Sequence, residues 1–140
     1  MSASPHPAVA TSLALWHEMI ASGDLARLPG IVNADAMFRS PMAHQPYRSA
    51  QAVVLVLGTA IRVFENFKYH RELYSDDGLN VVLEFSAEVA GKQLKGIDLV
   101  RFDEHGRICE FEVMVRPFSG LQALGAAMGQ RIGTQVPDFK

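Results

Sequence analysis

Apolar residues follow two different periods along this chain. From Val9 they recur at helical spacing: Leu13, Trp16 and Ile20 lie three and four residues apart, and Leu15 and Met19 widen the same face. Ser22-Gly23-Asp24 ends this helix, and Asp24 is suited to cap a second, short helix carrying Leu25, Leu28 and Ile31, with Pro29 near its middle. Asn33-Ala34-Asp35 reads as a turn, Ala36 to Arg39 as a short strand, and Ser40-Pro41 through His44-Gln45-Pro46-Tyr47 as an ordered loop. Ser49 has the chemistry of an N-cap for a third helix from Ala50 to about Phe64, with Val53, Leu57, Ile61 and Phe64 along one stripe.

Beyond this helix the period shortens to two. Phe67 to Tyr74 alternates and runs into Ser75-Asp76-Asp77-Gly78, a turn by its chemistry. Val81, Leu83, Phe85, Ala87 and Val89 alternate with Glu84, Ser86 and Glu88, which predicts a strand buried on one face. Gln93 to Phe102 and Ile108 to Arg116 are the next strands, separated by Asp103-Glu104-His105-Gly106 and stopped by Pro117. Leu121, Leu124, Met128 and Ile132 then share one face of a final helix punctuated by Gly125 and Gly129. Helices first and a meander of antiparallel strands afterwards predict an α+β domain, a curved sheet packed against helices around an interior that can hold a ligand. The expected division is a flexible tail over residues 1–8, one domain over 9–117 and a C-terminal helical extension over 118–140.

Composition narrows the function classes. At 140 residues the chain is one domain long, and its net charge of -2, with both signs interspersed, offers nucleic acid no basic surface. The longest nearly apolar run, Ala52 to Ile61, is too short to span a membrane. The lone Cys109 closes no disulfide within the chain, and no basic residue followed by an apolar stretch opens it, so the expected location is the cytoplasm. The five histidines form no pair at metal-ligand spacing, and the scattered glycines form no phosphate-cradling loop, so no metal and no organic cofactor is expected.

Strand alternation singles out Asp98. Leu94, Gly96, Asp98, Val100 and Phe102 share the face predicted to be buried, so Asp98 is a carboxyl among apolar neighbours, where ionisation is costly. Such a group is either a site residue or a structural carboxyl satisfied by a partner. On the last strand Cys109, Phe111, Val113 and Val115 are assigned to the same interior, with Cys109 an inert core thiol. Glu110 and Glu112 then lie on the opposite face, as a solvated or dimer-facing stripe. His44, in the proline-bounded loop, is the histidine best placed to help Asp98; His17, His70 and His105 are assigned to the surface.

Three strings in order resemble the nuclear transport factor 2-like superfamily, which includes ketosteroid isomerases and SnoaL-like polyketide cyclases. They are Ala21-Ser22-Gly23-Asp24-Leu25, then Phe38-Arg39-Ser40-Pro41 leading to Pro46-Tyr47-Arg48-Ser49, then Gly96-Ile97-Asp98-Leu99-Val100-Arg101-Phe102 followed by Gly106-Arg107-Ile108. The resemblance implies a cone-shaped curved antiparallel sheet packed around three helices from the N-terminal half, and a homodimer formed through the outer sheet face. It also implies a pocket for a small apolar or carbonyl-containing ligand, bordered by Trp16, Ser40, Tyr47, Val100, Phe111 and Val113. In the isomerases a protonated strand aspartate and a first-helix tyrosine form an oxyanion hole while a second aspartate moves the proton. Asp98 matches the strand aspartate, Trp16 falls where the tyrosine would be, and Ser40 falls where the proton-moving aspartate would be. The cyclases use an acid on this strand as general acid and base, which would make Asp98 and His44 the catalytic pair. Gly96 and Val113 stand where the superfamily's epoxide hydrolases carry an arginine and a second aspartate, so that activity is not implied. Two functions follow as alternatives: acid/base isomerisation or cyclisation of an apolar carbonyl compound, or non-catalytic binding of an apolar ligand in a dimeric module.

Overall fold

A computed structural model of the chain describes residues 3–132. Helix α1, Pro7–Ser22, starts where proline can occupy the first turn without losing a hydrogen bond, and the imidazole of His6 accepts from the Ala8 N–H at 3.2 Å. It ends at Gly23, whose φ of 76° is the left-handed cap that glycine adopts at no steric cost. The helix therefore begins two residues before Val9. Within the stretch expected to be a flexible tail, the His6 N–H donates to the Gly78 carbonyl, and residues 1–2 lie outside the described residues. The Ser12 hydroxyl donates to the Gly106 carbonyl at 2.5 Å, so α1 is fastened to two turns from the distant half of the chain.

Asp24 caps as expected, accepting from the Ala26 N–H at 2.9 Å, but the helix after it is only a 3-10 turn, Leu28–Ile31. Pro29 supplies no N–H, and a stretch this short gains too few hydrogen bonds to complete an α-helix. The expected turn at Asn33-Ala34-Asp35 lies inside strand β1, Val32–Arg39. Its turn chemistry survives locally, because the Asn33 side chain accepts from the Asp35 N–H at 2.8 Å; the pairing with the neighbouring strand jumps across this stretch, from Val32 to Met37. Strand β2, Tyr47–Arg48, then precedes helix α2, Ala50–Val63, which is capped by the Ser49 hydroxyl accepting from the Ala52 N–H at 3.1 Å.

Strands β3 (Glu65–Tyr74), β4 (Asn80–Val89), β5 (Lys92–Phe102) and β6 (Ile108–Arg116) form the expected antiparallel meander. All six strands make one curved, unclosed sheet in the order β2-β1-β6-β5-β4-β3. One pairing departs from the antiparallel expectation: β1 lies parallel to β6. On β4 the five alternating residues Val81 to Val89 are all buried, as are Leu94, Gly96, Asp98, Val100 and Phe102 on β5. At the start of β6 the alternation fails. Arg101 pairs with Glu110 but Phe102 pairs with Ile108, leaving Cys109 as the extra residue of a bulge. Ile108 therefore fills the core and Cys109 is half-exposed, not the core thiol that strict alternation predicts.

Helix α3, Phe118–Ile132, lies on its own domain, against α2 and strands β4 to β6, with Leu124, Met128 and Ile132 buried. Gly120 permits this contact, since a Cβ there would stand 2.7 Å from the Leu94 Cβ. The helical extension expected over 118–140 is thus packed as far as Ile132, and residues 133–140 lie outside the described residues.

Gly96 sets the depth of the sheet at its centre. A Cβ on it would collide with the Met114 carbonyl and stand 2.7 Å from the Phe85 ring, which is fully buried. Gly96→Ala is expected to cost about 1–3 kcal/mol as Phe85 is forced from its seat. Chemical denaturation beside the parent protein measures this, and equal stability would show that the ring has room to move.

Candidate active site

Asp98 is carried on the concave face of β5, with Leu83 of β4 and Val113 of β6 as its cross-strand neighbours. The residue is 5% exposed, and no cationic side chain is paired with it. Its partner comes from β3. The pairing of β3 with β4 slips between Tyr69 and Glu72, and the Tyr69 hydroxyl reaches across β4 to donate to the Asp98 Oδ2 at 2.6 Å. The same hydroxyl accepts from the Trp16 indole N–H at 3.0 Å. A directed chain results: indole to phenol, phenol to carboxyl. Asp98 Oδ1 has no hydrogen-bond partner among the described residues, and it is not among the sealed polar atoms. That oxygen is left for a ligand.

The surroundings are a cavity of about 620 Å³, counting its open mouth, within the range of small-molecule sites. Phe38, Phe111 and Val113 form its floor, Leu57 and Phe64 of α2 and its C-cap one wall, and Leu124 and Met128 of α3 another. The lining is overwhelmingly apolar. Burial is the main cause that raises the Asp98 pKa to about 7, and the Tyr69 hydrogen bond opposes it by favouring the carboxylate. Burial first, and then the charge of Asp98, push the Tyr69 pKa well above that of an ordinary phenol, so Tyr69 stays a neutral donor. At neutral pH Asp98 is therefore present in both protonation states, which is the condition for a group that gives and takes protons in one cycle.

The residues expected to form the site separate into two groups. Asp98, Trp16, Ser40, Phe111 and Val113 all line this cavity. His44 does not: it is exposed in its loop and absent from the lining, so the expected Asp98–His44 pair is not assembled. Tyr47 is buried behind the floor, its ring stacked on Phe38 at 6.4 Å. Val100 borders a separate, small apolar gap shared with Leu13 and Phe102. Tyr69 was missed. Its signal was its position two residues after Phe67 on an alternating strand, which puts a phenol on an apolar face where its hydroxyl needs a partner. His17, assigned to the surface, is instead held at 2.7 Å by Glu72, which also accepts from the Tyr74 hydroxyl; the His17 ring stands edge-on to Tyr69 at 5.3 Å. Among the described residues no cluster of three or more histidine, cysteine, aspartate or glutamate side chains is arranged to hold a metal ion. No helix among them is long and apolar enough to cross a membrane.

Comparison with known proteins places this arrangement in context. Residues 13–111 match the model of the SnoaL-like domain. The chain is 54% identical to a steroid delta-isomerase from Pseudomonas aeruginosa, with a TM-score of 0.92 and coverage of 97% of this chain and 99% of that one. It is 31% identical to an uncharacterised conserved bacterial protein with a cystatin-like fold from Silicibacter pomeroyi, with a TM-score of 0.82 and coverage of 94% and 89%. The epoxide hydrolase/cyclase-like enzyme SalBIII, from pyran ring formation in the polyether salinomycin, shares the fold at 13% identity, a TM-score of 0.64 and coverage of 79% and 92%. No curated protein sequence matches at a significant level.

A pH-dependent stability follows from the raised pKa of Asp98. The folded chain keeps a proton on Asp98 up to about 7, whereas the ordinary value is 3.8, so between these values the folded state binds more protons than the unfolded one. This contribution is fully present below about pH 4 and is lost as pH rises through 7, a fall on the order of 4 kcal/mol. Denaturant unfolding of Asp98→Asn across this window is expected to show a flatter dependence than the parent. Parallel curves would mean that Asp98 is ionised throughout.

Proposed function

Because the chain belongs to the SnoaL-like domain family, we propose that it is a proton-transfer enzyme, an isomerase or cyclase acting on a small apolar carbonyl compound with Asp98 as its acid and base. One observation carries this reading: a carboxyl with a pKa near neutrality borders an apolar cavity with one oxygen tied to Tyr69 and the other without a partner. The likeness to a steroid delta-isomerase at 54% identity supports isomerase chemistry and an apolar substrate.

The groups divide the work as follows. As carboxylate, Asp98 removes a proton from a carbon activated by the carbonyl, and as acid it returns that proton elsewhere on the same molecule, so no net proton is gained or lost. Tyr69, its own acceptor site filled by Trp16, orients the carboxyl and steadies its charged form; it is a positioning residue. The apolar walls exclude water from the carbanionic intermediate. Such proton movement calls for no metal and no organic cofactor. The alternative, a binding module without turnover, has one feature in its favour: Ser40, which lines the cavity, is not a base.

The outer sheet face supports a homodimer. Leu73 and Met114, 52% and 45% exposed, lie on it with Val82, Ile97 and Leu99, beside the ion-paired Arg71, Glu84 and Lys95. An apolar stripe rimmed by charges fits a second copy of the same sheet better than solvent. The half-exposed, unpaired Cys109 fits a reducing, cytoplasmic setting.

Two sets of variants test these readings. Asp98→Asn is expected to lose at least about 100-fold in carbonyl-dependent proton exchange, followed by NMR in D2O, while retaining ligand binding. Tyr69→Phe removes the bond that lowers the Asp98 pKa, so the rising limb of the rate profile shifts to higher pH. Full exchange in Asp98→Asn with bound ligand would leave the aspartate a structural role; tight binding without exchange in the parent would favour the binding module. For the interface, Met114→Lys with Leu73→Lys is expected to convert a sedimenting dimer to a folded monomer, and a parent that sediments as a monomer at all concentrations contradicts the dimer.

A further inference from the structure

Proton removal from carbon beside a carbonyl puts negative charge on oxygen, and that oxygen needs a donor. The donors bordering the cavity are already committed, with one exception. The Trp16 N–H is given to Tyr69, and the Tyr69 O–H is given to Asp98. Ser40 remains. It is 8% exposed and lines the cavity, and its hydroxyl oxygen accepts from the Met42 N–H at 3.0 Å. No acceptor among the described residues takes its proton.

Strand register places this hydroxyl opposite the acid. Phe38 points into the cavity, Arg39 points out to Glu110, and Ser40 points in again. Arg39 stands beside Glu112 on β6, which brings Ser40 level with Val113, and Val113 is the partner of Asp98. Ser40, Val113 and Asp98 thus form one row across three strands. Adjacent strands lie about 4.8 Å apart, so the backbones of Ser40 and Asp98 are separated by about 10 Å, with Val113 as the floor between them.

We propose that Ser40 is the oxyanion donor of this site, holding the carbonyl oxygen while Asp98, from the other end of the row, moves the proton. This rests on the acid/base reading of Asp98 and assigns the group that works with it. The Asp98 Oδ1 takes a hydrogen from carbon as a proton; the C–H electron pair shifts through the carbon framework, and the carbonyl oxygen becomes an enolate oxygen that accepts the Ser40 O–H. The electrons then return, and Asp98 gives the same proton to another carbon. The Met42 N–H fixes the Ser40 oxygen, so the hydroxyl is oriented before the charge forms, which is what makes such a donor effective. The row also sets a span. A hydrogen bond of about 3 Å at one end and a reacting contact of about 3–3.5 Å at the other leave several bonds of substrate between oxygen and reacting carbon. A conjugated enone, whose exchangeable hydrogen lies beyond its double bond, fills that length better than a simple ketone.

The probes are a methyl-substituted fused-bicyclic enone, its saturated ketone and its saturated hydrocarbon, incubated with parent, Ser40→Ala, Ser40→Thr and Asp98→Asn in D2O at neutral pH. Deuterium uptake is located carbon by carbon by NMR, and affinity is read separately by quenching of Trp16 fluorescence. The expected result is uptake at the far carbon of the enone, faster than any uptake by the ketone, with about a 100-fold loss in Ser40→Ala. Ser40→Thr, which keeps a hydroxyl, restores part of the rate, and affinity for the hydrocarbon stays the same in Ser40→Ala. A structural role for Ser40 through Met42 would instead weaken the hydrocarbon along with the enone, and would overturn the proposal. So would an unchanged exchange rate in Ser40→Ala while Asp98→Asn abolishes exchange, an outcome that leaves the acid/base reading of Asp98 standing. Exchange that survives Asp98→Asn removes that reading itself, and absence of exchange in the parent removes both.

Discussion

Everything at this site depends on keeping one carboxyl out of water with a single neutral hydrogen bond. An ionised aspartate in an apolar cavity is costly, and a cation beside Asp98 would have made it a permanent carboxylate. The chain instead supplies a phenol. Tyr69 offers one proton and no charge, enough to fix one carboxyl oxygen but not enough to hold the pKa in the ordinary range. A poised acid is the product of that balance. Trp16 completes it from α1 by filling the acceptor side of the phenol, so that the hydroxyl proton has one direction to point.

The fold serves this arrangement through its irregularities as much as through its regular elements. The slip between β3 and β4 lies beside Tyr69, and the glycine at position 96 leaves room for Phe85 behind the carboxyl row. The bulge in β6 shifts Ile108 into the core ahead of Phe111. Helix α3 then covers the remaining opening with Leu124 and Met128, while Met42 packs against Gly125 from the loop that carries Ser40.

Much of this was legible in the sequence, for physical reasons that also mark where legibility ends. The β4 and β5 strands alternate cleanly because each buries one face, so Asp98 could be assigned to the interior from its neighbours alone. Alternation is a local rule, and it failed where two strands pair out of step: Cys109 was sent inward because the bulge depends on Arg101, a residue on another strand. The same limit hid Tyr69, whose role exists only through contacts with residues 53 and 29 positions away. His44 is the opposite error. A histidine in a proline-bounded loop has the right chemistry, but the loop carries it away from the cavity to solvent. Parallel pairing of β1 with β6 was equally out of reach, since neither strand's pattern encodes a neighbour some 70 residues distant.

The two fastenings of α1 impose an order on synthesis. Its amphipathic face is made first, yet the turns that hold it, at Gly78 and Gly106, and the strands it covers are made much later. At typical elongation rates the interval from Ser22 to Gly106 is on the order of ten seconds. Throughout that time Val9, Leu13, Trp16 and Met19 have no sheet to cover, and the nascent chain carries an exposed apolar helix. A ribosome-associated chaperone that shields such helices would therefore meet this protein early and release it only when the last hairpin has emerged.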